Sequence, residues 1–334
     1  MDINLLSNLF DDSFNKKFKH IKKIGKGVFG NVHKMLNREN QQIVAVKKYR
    51  YQGDIEEMKM NAIAEINFLK QLSGHPNIIQ LYEIIENETM IGISLEIMDM
   101  NLKELLMRSS EQLTDNLITS YSYQLLLGIE FCHTNNIIHL DLKPQNILID
   151  KSRCLKIADF GSAKKITHIP SNRFFNTVCS LWYRDPEILL GQKKYSYHHD
   201  MWSIGCIISE MITKYILFCG ETEKEQLDLI FQLLGTPCVD SLNTNKFVHT
   251  EPNLYWSEMI NLSKYKSYFI NDNTFPKWRK KNLGEYYFKK YKININSDII
   301  DLIQQFLIYD PRKRSSASSG LKHKCFNNIN GLKI

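Results

Sequence analysis

The order in which a few charged and amide residues recur constrains this chain more than any other feature. Ile138-His139-Leu140-Asp141-Leu142-Lys143-Pro144-Gln145-Asn146 sets an Asp, a Lys and an Asn within six residues, and Asp159-Phe160-Gly161 follows thirteen residues after that Asn. Either motif alone reads as a chance tripeptide or a turn. Together and in this order they are hard to ascribe to chance, and they gather residue types that can accept a proton, face an anion or offer hard oxygen donors to a cation. A chain of 334 residues is long for one hydrophobic core, so two lobes are expected.

Upstream, Ile24-Gly25-Lys26-Gly27-Val28-Phe29-Gly30-Asn31-Val32 reads as strand, glycine turn, strand. Glycines let backbone amides approach phosphates closely. A G-x-G-x-x-G of the dinucleotide type opens a helix, whereas β-type residues follow here. Seventeen residues after Gly30, Val44-Ala45-Val46-Lys47 is a strand ending in a lysine, which alone would rate as a surface residue. The segment 61–72 places Ala62, Ile66, Leu69 and Leu72 at helical spacing. Its Glu65 is the acid best placed to pair with Lys47; a surface pair with Lys70, five residues on, is the alternative.

This series of motifs resembles the glycine loop, V-A-I-K strand, catalytic loop and D-F-G of eukaryotic protein kinases, with Leu140 where most members carry arginine. The resemblance covers about residues 20–328 and implies an α+β, bilobal fold, strand-rich to about residue 98 and helical beyond. It implies ATP and Mg²⁺ in a cleft. Ile24, Gly25, Gly27, Gly30, Val32, Ala45, Leu148 and Ala158 would surround the nucleotide, with Leu95 as gatekeeper and backbone groups of Glu96 and Met98 bonding adenine. Lys47, held by Glu65, would pair the α- and β-phosphates; Asn146 and Asp159 would hold Mg²⁺. Asp141 would orient the substrate hydroxyl and Lys143 sit near the transferred phosphate, the serine/threonine pattern. Ser180 would bond Asp141 and Lys143, and Glu187 would pair with Arg314.

Trp182-Tyr183-Arg184-Asp185-Pro186-Glu187-Ile188-Leu189-Leu190-Gly191 narrows the resemblance to the CMGC group, with Asp185 where alanine is usual. Leu234-Gly235-Thr236-Pro237 and Phe275-Pro276-Lys277-Trp278 flank an insert of that group's type. The Lys47 to Glu65 spacing is most similar to cyclin-dependent kinases. Other pieces resemble glycogen synthase kinases (Asp159 to Lys164) and the MAK/MOK branch (Glu96 to Asn101). The group implies protein substrates with Ser/Thr-Pro sites, read through Arg184, and a possible cyclin-like activator at 62–66. The phosphothreonine receptor of cyclin-dependent kinases is largely missing: its arginine positions read Ala64, Leu140 and Lys164, and the threonine position reads Phe175. Activation independent of that phosphothreonine is therefore expected, with Phe174 and Phe175 packing on Leu140 and Ala64. A pseudokinase or scaffold with the same fold remains the alternative reading.

Seven cysteines without a C-x-x-C pair suit reduced thiols in an intracellular protein, cytoplasmic or nuclear. Residues 1–12 lack a secretory pattern, and no apolar run spans a membrane. The expected division is an extension over 1–19, an N-lobe over 20–98, and a hinge and C-lobe over 99–334 with an insert at about 236–296. The formal charge of +7 is mostly dispersed, and no nucleic-acid partner is expected. Its one dense patch, Lys277-Trp278-Arg279-Lys280-Lys281 followed by Lys289-Lys290-Tyr291-Lys292, suits either an acidic partner, nuclear import or a solvated face.

Overall fold

A computed structural model describes residues 12–26, 30–50, 55–86, 90–108, 112–166, 180–238, 254–271 and 275–329. Gly27, Phe174 and Phe175 lie outside these residues, as does the expected packing of the two phenylalanines. The chain divides into two compact units, Met1–Asp99 with Ile157–Gly161, and Met100–Lys156 with Ser162–Ile334.

The first unit holds α1 (Asp12–Lys17), β1 (Phe18–Lys26), β2 (Gly30–Asn37), β3 (Ile43–Arg50), α2 (Ile55–Gln71), β4 (Leu81–Glu86) and β5 (Met90–Leu95). Its strands form an antiparallel sheet in the order β1-β2-β3-β5-β4. Register decides what each face carries. Val32 lies opposite Lys47 and Ala45 opposite Leu95, so these four share a face. Met35, Val44 and Val46 point the other way and are buried with Phe14 and Phe18. The segment expected as an extension is thus partly built into the core: β1 begins at Phe18, and α1 lays Phe14 against it with ring centres 5.2 Å apart. Gly30 has a steric reason, since a Cβ there would stand 1.9 Å from the Lys48 carbonyl oxygen.

Helix α2 buries Ala62, Ile66 and Leu69, the positions its periodicity predicts. It begins six residues before the expected start at Asn61, because no Gly or Pro between 55 and 61 stops it. Residues 157–161 join this unit through Ile157, whose N–H donates to the Asn77 carbonyl at 2.9 Å and whose carbonyl accepts from Ile79 N–H at 3.0 Å.

The second unit contains β6 (Met100–Asn101), α3 (Leu102–Arg108), α4 (Asp115–Thr134), β7 (Ile137–Ile138), β8 (Ile147–Ile149), the first two residues of β9 (Leu155–Ile157) and β10 (Lys164–Lys165). The helices α5 (Pro186–Leu189), α6 (His198–Thr213), α7 (Glu223–Leu234), α8 (Leu283–Tyr291), α9 (Ser297–Phe306) and α10 (Ala317–Gly320) follow. Strands β6, β8 and β9 make a small sheet, and β7 pairs with β10. Helix starts are set by side-chain caps: Thr114 accepts from Leu117 N–H, Asp185 from Ile188, Thr222 from Glu225 and Asn282 from Glu285. Helix α6 is buried from His199 through Thr213 and packs against α4 and α9, so it forms the unit's central post.

Candidate active site

In the first unit, the Lys47 ammonium lies 2.7 and 2.8 Å from the two Glu65 oxygens and 2.7 Å from Asp159 Oδ1. Each side chain is brought there by a different element: β3 for Lys47, α2 for Glu65, and the turn after β9 for Asp159, which adopts a left-handed φ of +64°. Burial alone would favour a neutral amine, but the charges of Glu65 and Asp159 outweigh it and hold the Lys47 pKa well above the ordinary lysine value. Val32, Ala45 and Leu95 lie on the same sheet face as Lys47, and Ile24 and Gly25 stand in β1 beside Val32. Glu96 donates its N–H to the Gln80 carbonyl, and its carboxylate accepts from Gln80 N–H at 2.6 Å. Met98, two residues on, has no hydrogen bond on its N–H or its carbonyl among the described residues, so both remain open to a planar donor-acceptor ligand.

In the second unit, Asp141 is surrounded by the residues expected around it. Lys143 Nζ donates to Asp141 Oδ2 at 2.6 Å and to Ser180 Oγ at 3.0 Å. Ser180 gives both its N–H (3.2 Å) and its hydroxyl (3.1 Å) to Asp141 Oδ1. Asn146 Nδ2 donates to the Asp141 carbonyl at 2.8 Å and to Oδ2 at 3.2 Å. This fixes the amide's orientation and leaves the Asn146 oxygen as an acceptor without a hydrogen bond among the described residues. Leu148 is the half-exposed middle residue of β8, between the buried Ile147 and Ile149.

The protein kinase domain model matches residues 18–326 of the 334. The chain belongs to the protein kinase family. It is accordingly a phosphotransferase with ATP as its phosphoryl donor, and it has the α+β fold of that family. No helix among the described residues is long and apolar enough to cross a membrane.

The kinase carries two clusters whose geometry the sequence did not reveal. Asp200, at the start of α6, accepts from the backbone N–H of His139 and of Leu140, each at 2.9 Å, and from His133 Nε2 at 2.9 Å. Burial would raise the Asp200 pKa, yet the His133 bond and the nearby His139 lower it below the usual carboxylate value. The anchored backbone holds Leu140 at φ +64°, sparsely populated for a branched residue, with its side chain buried. Nothing local in the sequence announces that the carboxylate of Asp200, the third residue of α6, bonds a loop sixty residues away.

The second cluster surrounds Asp185. Its carboxylate caps α5 and accepts a short hydrogen bond from His199 Nδ1, while Arg314 Nη2 donates to Glu187 at 2.8 Å and Nη1 stands 3.9 Å from Asp185. The departure at Asp185 is thus matched by His199, the residue preceding Asp200 in an otherwise apolar helix. Asp185, Glu187 and His199 are close enough together to hold a metal ion, but the Arg314 guanidinium already supplies the positive charge there. Arg184 is engaged as well, by Glu223 of α7 at 2.8 Å, and Glu223 also bonds Lys264. Protein kinases generally use Mg²⁺, and each unit, taken by itself, offers a hard oxygen donor of the kind that ion takes: the Asn146 amide oxygen in the second and the Asp159 carboxylate in the first.

Proposed function

We propose that this kinase phosphorylates serine and threonine followed by proline, using Mg-bound ATP, and that its activation does not require a phosphothreonine on the activation segment. The observation that carries the reading is the closed set around Asp141, in which Lys143, Ser180 and Asn146 converge on one carboxylate. Asp141 takes the hydrogen bond of the incoming hydroxyl and fixes its lone pair toward the γ-phosphorus. Lys143, two residues away, neutralises charge on the transferred phosphoryl oxygens, and Ser180 holds both side chains in register. Lys47, kept extended by Glu65, binds the non-transferred phosphates, while Met98 offers its backbone to adenine. When bound by Asn146 and Asp159, Mg²⁺ supplies charge neutralisation across the phosphates. Proline selection rests on Trp182-Tyr183-Arg184, and independence from phosphothreonine on Ala64, Leu140 and Phe175, which leave neither the phosphate acceptor nor most of its arginine receptors.

The test is transfer of labelled phosphate from Mg-ATP to a Ser-Pro peptide. Lys47→Met and Asp159→Asn should each lower the rate by about 10² to 10³ while the protein stays folded, because each removes charge facing phosphate or metal. Near-normal turnover in either variant overturns the catalytic assignment, and an inactive wild type that still binds nucleotide identifies a scaffold instead. A peptide array preferring basic residues without proline contradicts the specificity. A large activity loss after treatment with a broad phosphatase contradicts the activation reading.

A further inference from the structure

Residues 277–292 carry seven basic side chains against the single acid Glu285, an excess of six in a chain whose formal charge is +7. The charge expected to be mostly dispersed is thus, in net terms, carried almost entirely by this segment, because basic and acidic residues nearly cancel over the rest of the chain. Glu285 is engaged by Lys289 at 2.8 Å, whereas Lys277, Arg279, Lys281, Lys290 and Lys292 make no ion pair among the described residues. Helix α8 buries only Leu283 and Tyr287 and turns its remaining side chains outward or half-outward.

An aromatic platform stands among these cations. Lys214 ends α6 in a left-handed turn (φ +63°), and the next residue, Tyr215, is 63% exposed. Its ring stacks on Tyr291 with centres 5.3 Å apart and planes 14° from parallel, and Tyr286 meets Tyr291 edge-on at 6.1 Å. Lys290 Nζ donates to the Tyr286 hydroxyl at 2.9 Å and lies 5.1 Å from the Tyr291 ring centre, and Lys281 Nζ lies 6.0 Å from that of Tyr286. Lysines on a merely solvated helix face wave freely. Here two of them are held against rings, so less side-chain freedom is lost when an anion arrives.

We propose that this platform docks an acidic segment of a protein partner, with an aromatic or long apolar side chain of that segment covering the open face of Tyr215. Charge complementarity selects the acidic partner, and an exposed, rigidly stacked tyrosine is the kind of anchor on which interface energy concentrates. A polypeptide fits better than a nucleic-acid strand. Strand-tracking sites line up successive open rings, whereas Tyr291 is covered by Tyr215 and Lys290, and Tyr286 already has Tyr291, Lys281 and Lys290 against it. Within this tyrosine cluster one exposed ring, Tyr215, is left for one apolar side chain; Phe288, also exposed, stands outside the stack with Lys292 Nζ 5.9 Å from its own ring centre.

The experiment titrates the purified protein against a labelled oligo-glutamate peptide with one central phenylalanine, at about 50 mM salt, where exposed charges are weakly screened. An all-glutamate peptide and oligo-dT are titrated beside it. The phenylalanine peptide should bind best, about five-fold more weakly to Lys281→Ala or Lys290→Ala and about ten-fold more weakly to Tyr215→Ala. Tyr215→Ala should also lose the preference over the all-glutamate peptide. Transfer to a Ser-Pro peptide should be unchanged in all three variants, which separates lost docking from lost folding. Absence of saturable binding, equal binding by wild type and Tyr215→Ala, or tighter binding of oligo-dT each overturns the proposal.

Discussion

At the scale of single residues, the pair Asp185 and His199 makes the sharpest claim about energetics. Both are buried, and each satisfies the other in a place where a charge without a partner would be strongly unfavourable. Asp185→Ala alone should destabilise the protein by on the order of 3–5 kcal/mol, since it leaves a buried imidazolium beside Arg314, while Asp185→Ala with His199→Val should recover most of that loss. Urea unfolding of the three proteins checks the cycle. Burial lowers the His199 pKa, but Asp185 and then Glu187 outweigh it and raise it to about 9, against the ordinary 6.5. Because the folded value is the higher one, the stabilisation is complete below about pH 6.5 and fades as pH rises through 9. The stability difference between wild type and His199→Val should shrink over that interval, with Arg314 and His198 as the other titratable neighbours. Residues at this scale were legible only where their meaning is local. Asp141, Lys143 and Asn146 lie within six positions, and their spacing, with Asp159-Phe160-Gly161 in order behind it, located the loop. Asp185 stood out as a departure, but its partner is fourteen residues away on a helix, and no sequence period links the two.

Among elements, α1 shows what a short segment hides. Six residues cannot display an apolar period, so residues before 20 read as no more than an extension. Their role follows from packing: Phe14 closes the face of the sheet that carries Met35, Val44 and Val46, and Lys17 reaches Glu83 at 2.6 Å and Glu39 at 3.1 Å. Phe14→Ala should lower the unfolding free energy by about 3 kcal/mol, whereas Lys17→Ala, which removes a half-exposed ion pair, should change it by no more than about 1 kcal/mol. Chemical denaturation distinguishes the two. Helices with a long apolar record were read well in contrast. The apolar spacing read over 61–72 becomes the second part of α2, which is extended at its start because residues 55–60 contribute backbone hydrogen bonds whatever their polarity.

For the molecule as a whole, binding and folding are linked. A ligand at 100 times its dissociation constant stabilises the state that binds it by about 2.7 kcal/mol, so Mg-ATP should raise the melting temperature of the wild type and should do so far less in Lys47→Met. Thermal scans with and without nucleotide give the answer, and the same scans on an inactive protein would reveal a nucleotide-binding scaffold. The two-part organisation was legible from length and from the change of strand-rich to helix-rich sequence near residue 98; the return of Ile157–Gly161 to the first unit was not, since it depends on two backbone hydrogen bonds to residues 77 and 79. The arrangement around Asp141 bears on how such an enzyme would spend ATP between substrates. Both oxygens of that carboxylate are already engaged, one by Ser180 and the other by Lys143 and Asn146. A lone water gains little by breaking into the set, whereas a hydroxyl carried on a tethered polypeptide arrives already oriented. Idle hydrolysis would thus be held down by occupancy of the acceptor itself, with no need for a door that shuts water out.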